Sequence, residues 1–265
     1  MERQIQCIAD IKEKYQGYFI DVWSVLYNEG EGVIASAKEG LRVLQESEKT
    51  VVLVSNAARS GQELSTFLAR EGLHSSLYQH AVTSGDCMRA YFVKRDKPIR
   101  CYLSGRSYSR ATFEGVPVTF VATPEEAEIF IPCVPDHDSS TLDPFIPLLD
   151  RCLAAHLPML CGNPDEYILI KGRRVVRTGL FARYYAEKGG EVIAFGKPHT
   201  FIYTHAHALI PHIPKERILM IGDGLKTDIL GAQNFGIDSL WITSGVSSQD
   251  RETGLIPTYE MAIFG

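Results

Sequence analysis

The chain has 265 residues, 45% of them apolar and 22% charged, enough to bury a core and too balanced in charge for a disordered polymer. Its formal net charge is −5, so there is no basic excess to neutralise a phosphate backbone and no nucleic-acid partner is expected. No stretch approaches the roughly 18 consecutive apolar residues of a membrane span, and Met1 to Gln6 leads into mixed charge rather than an apolar run, so the expectation is a cytoplasmic protein with no membrane association. Six cysteines, at positions 7, 87, 101, 133, 152 and 161, lack CxxC spacing and read as small core thiols in a reducing compartment.

Strand and helix signals alternate along the chain. Tyr18-Phe19-Ile20 is a short apolar run ending at Asp21. Ser36 with Glu39 predicts a capping box for a helix through Leu41 and Leu44. Val51 to Val54 is a β-branched run, read as a buried strand reaching Ser55. Ser60 with Glu63 predicts another capping box, with a helix through Leu64 and Phe67 that ends near Gly72. Alternating βα units of this kind predict a doubly wound α/β fold, a mainly parallel sheet with helices on both faces.

The middle third has its own rhythm. Arg100 to Leu103 and Ile129 to Val134 read as strands, and Thr123-Pro124-Glu125-Glu126 supplies an N-cap, an N1 proline and an acidic first turn. Asp143-Pro144 opens a helix through Leu148, Leu149 and Cys152. Pro158 to Cys161 is a strand, and Tyr167 to Val176 suggests a hairpin around Lys171-Gly172. The first pattern then returns: a strand from Val192 to Phe195, a helix through Ile202 and His205, and strands from Arg217 to Ile221 and Ser239 to Thr243. The expected organisation is a core formed by residues 1–85 and 185–265, with an α/β cap domain, 86–184, inserted between.

Asp21, Ser55 and Asp223 each stand at the C-terminal end of a predicted strand, the edge where open parallel sheets form ligand crevices. Lys197 follows a strand end after one glycine. Singly, each is equally a turn former, a helix cap or a solvated lysine; their order and placement together carry the reading. Carboxylates with a backbone carbonyl suit Mg2+, a hard cation that prefers oxygen ligands. A hydroxyl and a lysine suit phosphate oxygens, and a carboxylate beside a metal can attack phosphorus.

In these residues the chain resembles the haloacid dehalogenase superfamily, in its 4-nitrophenylphosphatase-like branch with a large α/β cap. Asp21-Val22-Trp23-Ser24-Val25-Leu26 matches the first motif, Ser55-Asn56 the second, Lys197-Pro198 the third, and Gly222-Asp223-Gly224-Leu225-Lys226-Thr227-Asp228-Ile229 the fourth. The resemblance implies that Asp21 is nucleophile and metal ligand, and that the Trp23 backbone carbonyl and Asp223 complete a Mg2+ site. It implies that Ser55 holds a phosphate oxygen with N–H groups near Asn56, that Lys197 bridges nucleophile and phosphate, and that Asp228 orients Lys197 or the metal waters. The cap would choose the substrate, a small phosphorylated metabolite. Asn163 and Asp165, with Asp136 and His137, are its specificity candidates, although turn chemistry explains both groups as well. Pairing of cap surfaces into a homodimer is a further expectation of the branch.

One position departs from the pattern. Phosphatases of this family carry a second Asp two residues after the nucleophile, as general acid and base, and here that position is Trp23. The implied activity is therefore Mg2+-dependent hydrolysis of a small phosphate monoester through an aspartyl-phosphate, with a weakened general acid. Two alternatives stay open: an impaired protein of the same fold that binds a phosphorylated metabolite or a partner, and a metal-independent carbon–halogen hydrolase, whose nucleophilic Asp is also followed two residues on by an aromatic residue.

Overall fold

The computed structural model describes residues 4–93, 95–105, 112–133, 138–170, 173–245 and 254–265. The chain divides into two compact units: Met1–Ser55, Gly61–Val82 and Lys197–Gly265 make the first, and Asn56–Ser60 with Thr83–Gly196 the second.

The first unit is built on a six-stranded sheet in the order Tyr259–Met261, Asp238–Ile242, Ile218–Gly222, Gly17–Ile20, Thr50–Ser55, His80–Thr83. The pairings among the first five strands are all parallel. Gly17–Ile20 and Ile218–Gly222 are buried at every residue, which is why they read as unbroken apolar runs rather than alternating ones. The first strand lies in the middle of the sheet, the chain winds one way to Thr50–Ser55 and His80–Thr83, and it later returns on the other side. The strand order therefore reverses beside Gly17–Ile20, the topological position at which open α/β sheets place ligands.

Helix Ala35–Glu46 buries Ala37, Gly40, Leu41 and Leu44, one face at helical spacing, and Gly61–Arg70 does the same with Gly61, Leu64 and Leu68. The capping box expected at Ser36 is not what starts the first of these. The N-cap is Ile34, without a side-chain cap, and Ser36 is already inside the helix. Ile34 N–H donates to Leu26 O, so the short hairpin of Tyr27–Asn28 and Gly32–Val33 fixes the entry of the helix two residues early.

The second unit carries a five-stranded, wholly parallel sheet in the order Val192–Ala194, Met159–Cys161, Ile129–Pro132, Ile99–Ser104, Val118–Val121. Phe130, Leu149, Cys152, Met159, Phe181 and Tyr185 lie in its core. Tyr167–Ile170 and Arg173–Val176 pair antiparallel, the expected hairpin, although Lys171 and Gly172 at its turn lie outside the described residues. Thr123-Pro124-Glu125-Glu126 makes a 3₁₀ turn, Pro124–Glu126, whose Thr123 N–H is held by Glu126 Oε2 at 3.1 Å.

The strand expected to reopen the core, Val192–Ala194, instead pairs with Met159–Cys161 in this second sheet. The second unit accordingly reaches Gly196 rather than 184, begins at Thr83 rather than 86, and takes in Asn56–Ser60. A short apolar strand signals its own existence in sequence but not which of two sheets it joins. Among the described residues no helix is long and apolar enough to cross a membrane.

Candidate active site

The parallel register of the first sheet sets the height of each acid. Ile20 lies level with Ile221 on one side and Leu53 on the other, and Asp21 N–H continues the ladder to Ile221 O at 2.8 Å. Asp21 therefore emerges just past the central strand, with Asp223 one residue beyond the end of Ile218–Gly222 and Ser55 closing its own strand. All three are buried.

Lys197 and Asp228 complete the group. Lys197 Nζ donates to Asp21 Oδ1 at 2.5 Å and lies 2.6 Å from Asp228 Oδ1. No strand of the first sheet delivers this lysine, because the strand before it belongs to the second unit. It opens the segment that leads into helix Thr200–His207.

Asp228 is presented by a π-helical turn, Leu225–Ile229, in which Ile229 N–H reaches Gly224 O at 3.1 Å. The turn folds Asp228 back so that its Oδ2 accepts from Gly224 N–H at 2.9 Å. Such single π turns recur at functional sites. Two glycines make room: a Cβ on Gly222 would overlap the Asp228 carboxylate, and one on Gly245 would overlap that of Asp223.

Asp21, Asp223 and Asp228 bring one carboxylate oxygen each to within 4.8 Å of one another. Burial pushes the Asp21 carboxyl well above its ordinary pKa, Lys197 pulls it down, and Asp228 and Asp223 push it up again. Three clustered buried carboxylates with one ammonium, which meets Asp21 and Asp228, are short of positive charge, and buried charges demand compensation. An all-oxygen donor set with excess negative charge fits a hard divalent cation such as Mg2+. The same cluster suits a phosphoryl group, with a carboxylate to attack and a lysine to hold its oxygens.

Two further residues brace the acids. Trp241 Nε1 donates to Asp223 O at 3.0 Å, and Tyr203 Oη donates to Asp228 O at 3.2 Å. Burial raises the Tyr203 phenol far above its ordinary pKa, so it stays protonated and a donor. Neither was among the expected site residues. A tryptophan in a buried strand and a tyrosine in a helix carry no local signal of this role.

Trp23 is half-buried and turned into an aromatic group. Its indole meets Tyr27 edge-on at 5.5 Å and 83°, and lies 6.0 Å from Phe67, which itself meets Tyr27 at 5.2 Å.

The remaining candidates fall elsewhere. Asn56, Asn163 and Asp165 are brought together within the second unit, where Asn56 Nδ2 donates to Asp165 Oδ1 at 2.8 Å and Asn163 Oδ1 accepts from Asp165 N–H at 3.0 Å. The Asn56 side chain is thus engaged within that unit. Asp136 and His137 lie outside the described residues.

Two family models match the chain, one of haloacid dehalogenase-like hydrolases over residues 18–119 and a related HAD-hydrolase-like one over residues 194–262. Chronophin of Rattus norvegicus is 26% identical over 258 residues, spanning 92% of this chain and 81% of its own. A haloacid dehalogenase-like hydrolase from Brucella suis 1330 superposes with a TM-score of 0.89 at 29% identity, over 98% of this chain and 100% of that one. A 4-nitrophenylphosphatase from Thermotoga maritima shares the fold, with a TM-score of 0.75 at 21% identity over 96% of each chain.

Proposed function

The chain belongs to the haloacid dehalogenase superfamily, as a phosphatase-type hydrolase with a doubly wound core and an inserted α/β cap, and on that premise we propose that it hydrolyses small phosphate monoesters with Mg2+ through an aspartyl-phosphate on Asp21. One observation carries this reading: the buried cluster of Asp21, Asp223 and Asp228, of which Asp21 and Asp228 also meet Lys197. A metal-independent carbon–halogen hydrolysis would have no use for three converging carboxylates.

Asp21, Asp223 and the backbone carbonyl of Trp23 would hold the metal. Bound there, Mg2+ supplies neutralisation of the phosphoryl charge. Lys197, fixed between Asp21 and Asp228, holds a phosphoryl oxygen and favours the charged form of Asp21 against the burial that disfavours it. Ser55 holds another oxygen. A carboxylate oxygen of Asp21 attacks phosphorus, the ester P–O bond breaks, and the leaving oxygen departs as the anion or with a proton from solvent. Water then attacks phosphorus, which frees inorganic phosphate and restores Asp21.

Trp23 can neither protonate the leaving oxygen nor activate that water. General acid–base catalysis contributes about 10²- to 10⁴-fold, or roughly 3 to 5 kcal/mol of barrier. Esters of acidic alcohols, which leave without a proton, suffer least from its loss. The test is turnover of an activated aryl phosphate with and without Mg2+, beside Asp21→Asn. The expected result is metal-dependent turnover that falls by orders of magnitude in the variant. Full activity in Asp21→Asn would remove the nucleophile assignment.

A further inference from the structure

The backbone passes between the two units four times, at Ser55/Asn56, Ser60/Gly61, Val82/Thr83 and Gly196/Lys197. Two of those peptide bonds carry Ser55 and Lys197 on their first-unit side, so whatever fixes the second-unit side also bears on two residues of the proposed site.

Within the second unit, the crossing segments are tied into one polar knot. Asn56 is 2% exposed. Its Nδ2 donates to Asp165 Oδ1 at 2.8 Å, and its Oδ1 accepts from Ser84 Oγ at 3.4 Å. Thr83 Oγ1 donates to Arg59 O at 2.6 Å, and Gly85 N–H to Ala57 O at 3.1 Å. Gly196, at φ +103°, packs so close to Ser84 Oγ and Asn56 Oδ1 that no Cβ fits. Asp165 is held in turn: Asn163 Oδ1 accepts from its N–H at 3.0 Å, and its carbonyl accepts from Gly179 N–H at 3.0 Å.

We propose that Asp165 is a positioning residue for phosphate binding: through its hydrogen bond to Asn56 it sets the peptide that joins Asn56 to Ser55, and so the aim of Ser55. The proposal rests on the reading of Ser55 as a phosphate ligand. It needs an acceptor oxygen at the place of Asp165 Oδ1 and makes no use of a negative charge there. A buried amide that loses its partner turns to find another, and small displacements of a positioning group cost about 10²-fold in rate.

The experiment measures binding of inorganic phosphate in the presence of Mg2+ by calorimetry, and kcat and KM on 4-nitrophenyl phosphate, for three variants. Asp165→Ala removes the acceptor and Asp165→Glu moves it by one methylene. Both are expected to weaken phosphate binding about tenfold and lower kcat/KM about 10²-fold. Asp165→Asn keeps an acceptor and is expected to restore both to within about threefold of the unsubstituted protein. The Mg2+ midpoint stays the same in all three. Thermal melting follows folding, and the glutamate variant carries the test should the alanine variant unfold.

Retained function in Asp165→Glu with loss in Asp165→Asn would overturn the proposal in favour of a charge role. Unchanged phosphate binding in Asp165→Ala would overturn it outright. Failure of the functional reading has its own signature, since unsubstituted protein that binds no phosphate would remove that reading and this inference with it.

Discussion

The indole of Trp23 lies tilted at 36° against the ring of Phe67, with 6.0 Å between centroids. Tyr27 meets both rings edge-on. Trp23, which stands where the family resemblance leads one to expect a carboxylate, is therefore also part of the packing between helix Gly61–Arg70 and the turn after Asp21. Trp23→Asp should separate these roles. Loss of the ring contacts at a half-buried site should cost about 2 to 3 kcal/mol. That corresponds to a fall in Tm of roughly 5 to 10 °C. Restoring an acid should raise kcat on an alkyl phosphate about tenfold relative to kcat on 4-nitrophenyl phosphate. An unchanged ratio, from folded protein, would show that no proton donor is missing.

Trp241 predicts a different separation, metal affinity from chemistry. Its indole N–H holds the carbonyl of Asp223 while Gly245 backs the carboxylate. Trp241→Phe keeps an aromatic ring, a smaller one, and removes the donor. The Mg2+ concentration for half-maximal activity should rise about tenfold, the lower end for loss of a partner that orients a metal ligand. Activity at saturating Mg2+ should stay within about threefold. A Mg2+ midpoint that does not move would show that Asp223 needs no such brace.

How much of this was legible beforehand depends on sequence distance. Asp223 and Asp228 stand close in sequence and Gly222, which makes room for Asp228, adjoins Asp223, so the fourth motif announces that part of its geometry. Gly245, which makes room for Asp223, lies outside it. Asp21, Ser55 and Asp223 were placed correctly because continuous apolar strands end at each of them. Lys197 does follow a strand end, but that strand belongs to the other sheet, so its match to the third motif carries it rather than its strand. Asn56 and Asp165 lie 109 residues apart and their bond depends on how two loops of the second unit meet, which no local pattern encodes. Trp241 stands 18 residues after Asp223 and looks like any buried aromatic strand residue. Ser36 shows the opposite error, a capping pattern overridden by a hairpin that starts the helix earlier.

The charge balance of the cluster makes the effect of Mg2+ depend on pH. Burial, with Asp228 and Asp223 adding to it against Lys197, holds the folded Asp21 pKa well above the ordinary 3.8. A carboxyl with a raised folded pKa contributes stability that is complete below its unfolded value and is lost as pH rises through the folded value. Without metal, Asp21 therefore weakens the fold progressively as pH climbs above about 3.8. Metal binds the ionised carboxylate, so it competes with the proton and offsets that loss. The rise in Tm on adding Mg2+ should accordingly be small at pH 5 and grow toward pH 8. In Asp21→Asn, which has no proton to displace at that position, the dependence on pH should flatten. Differential scanning fluorimetry across this range, with and without Mg2+, reads the outcome directly. A Mg2+ shift equal at both ends would mean that Asp21 is already ionised at pH 5, with Lys197 outweighing burial.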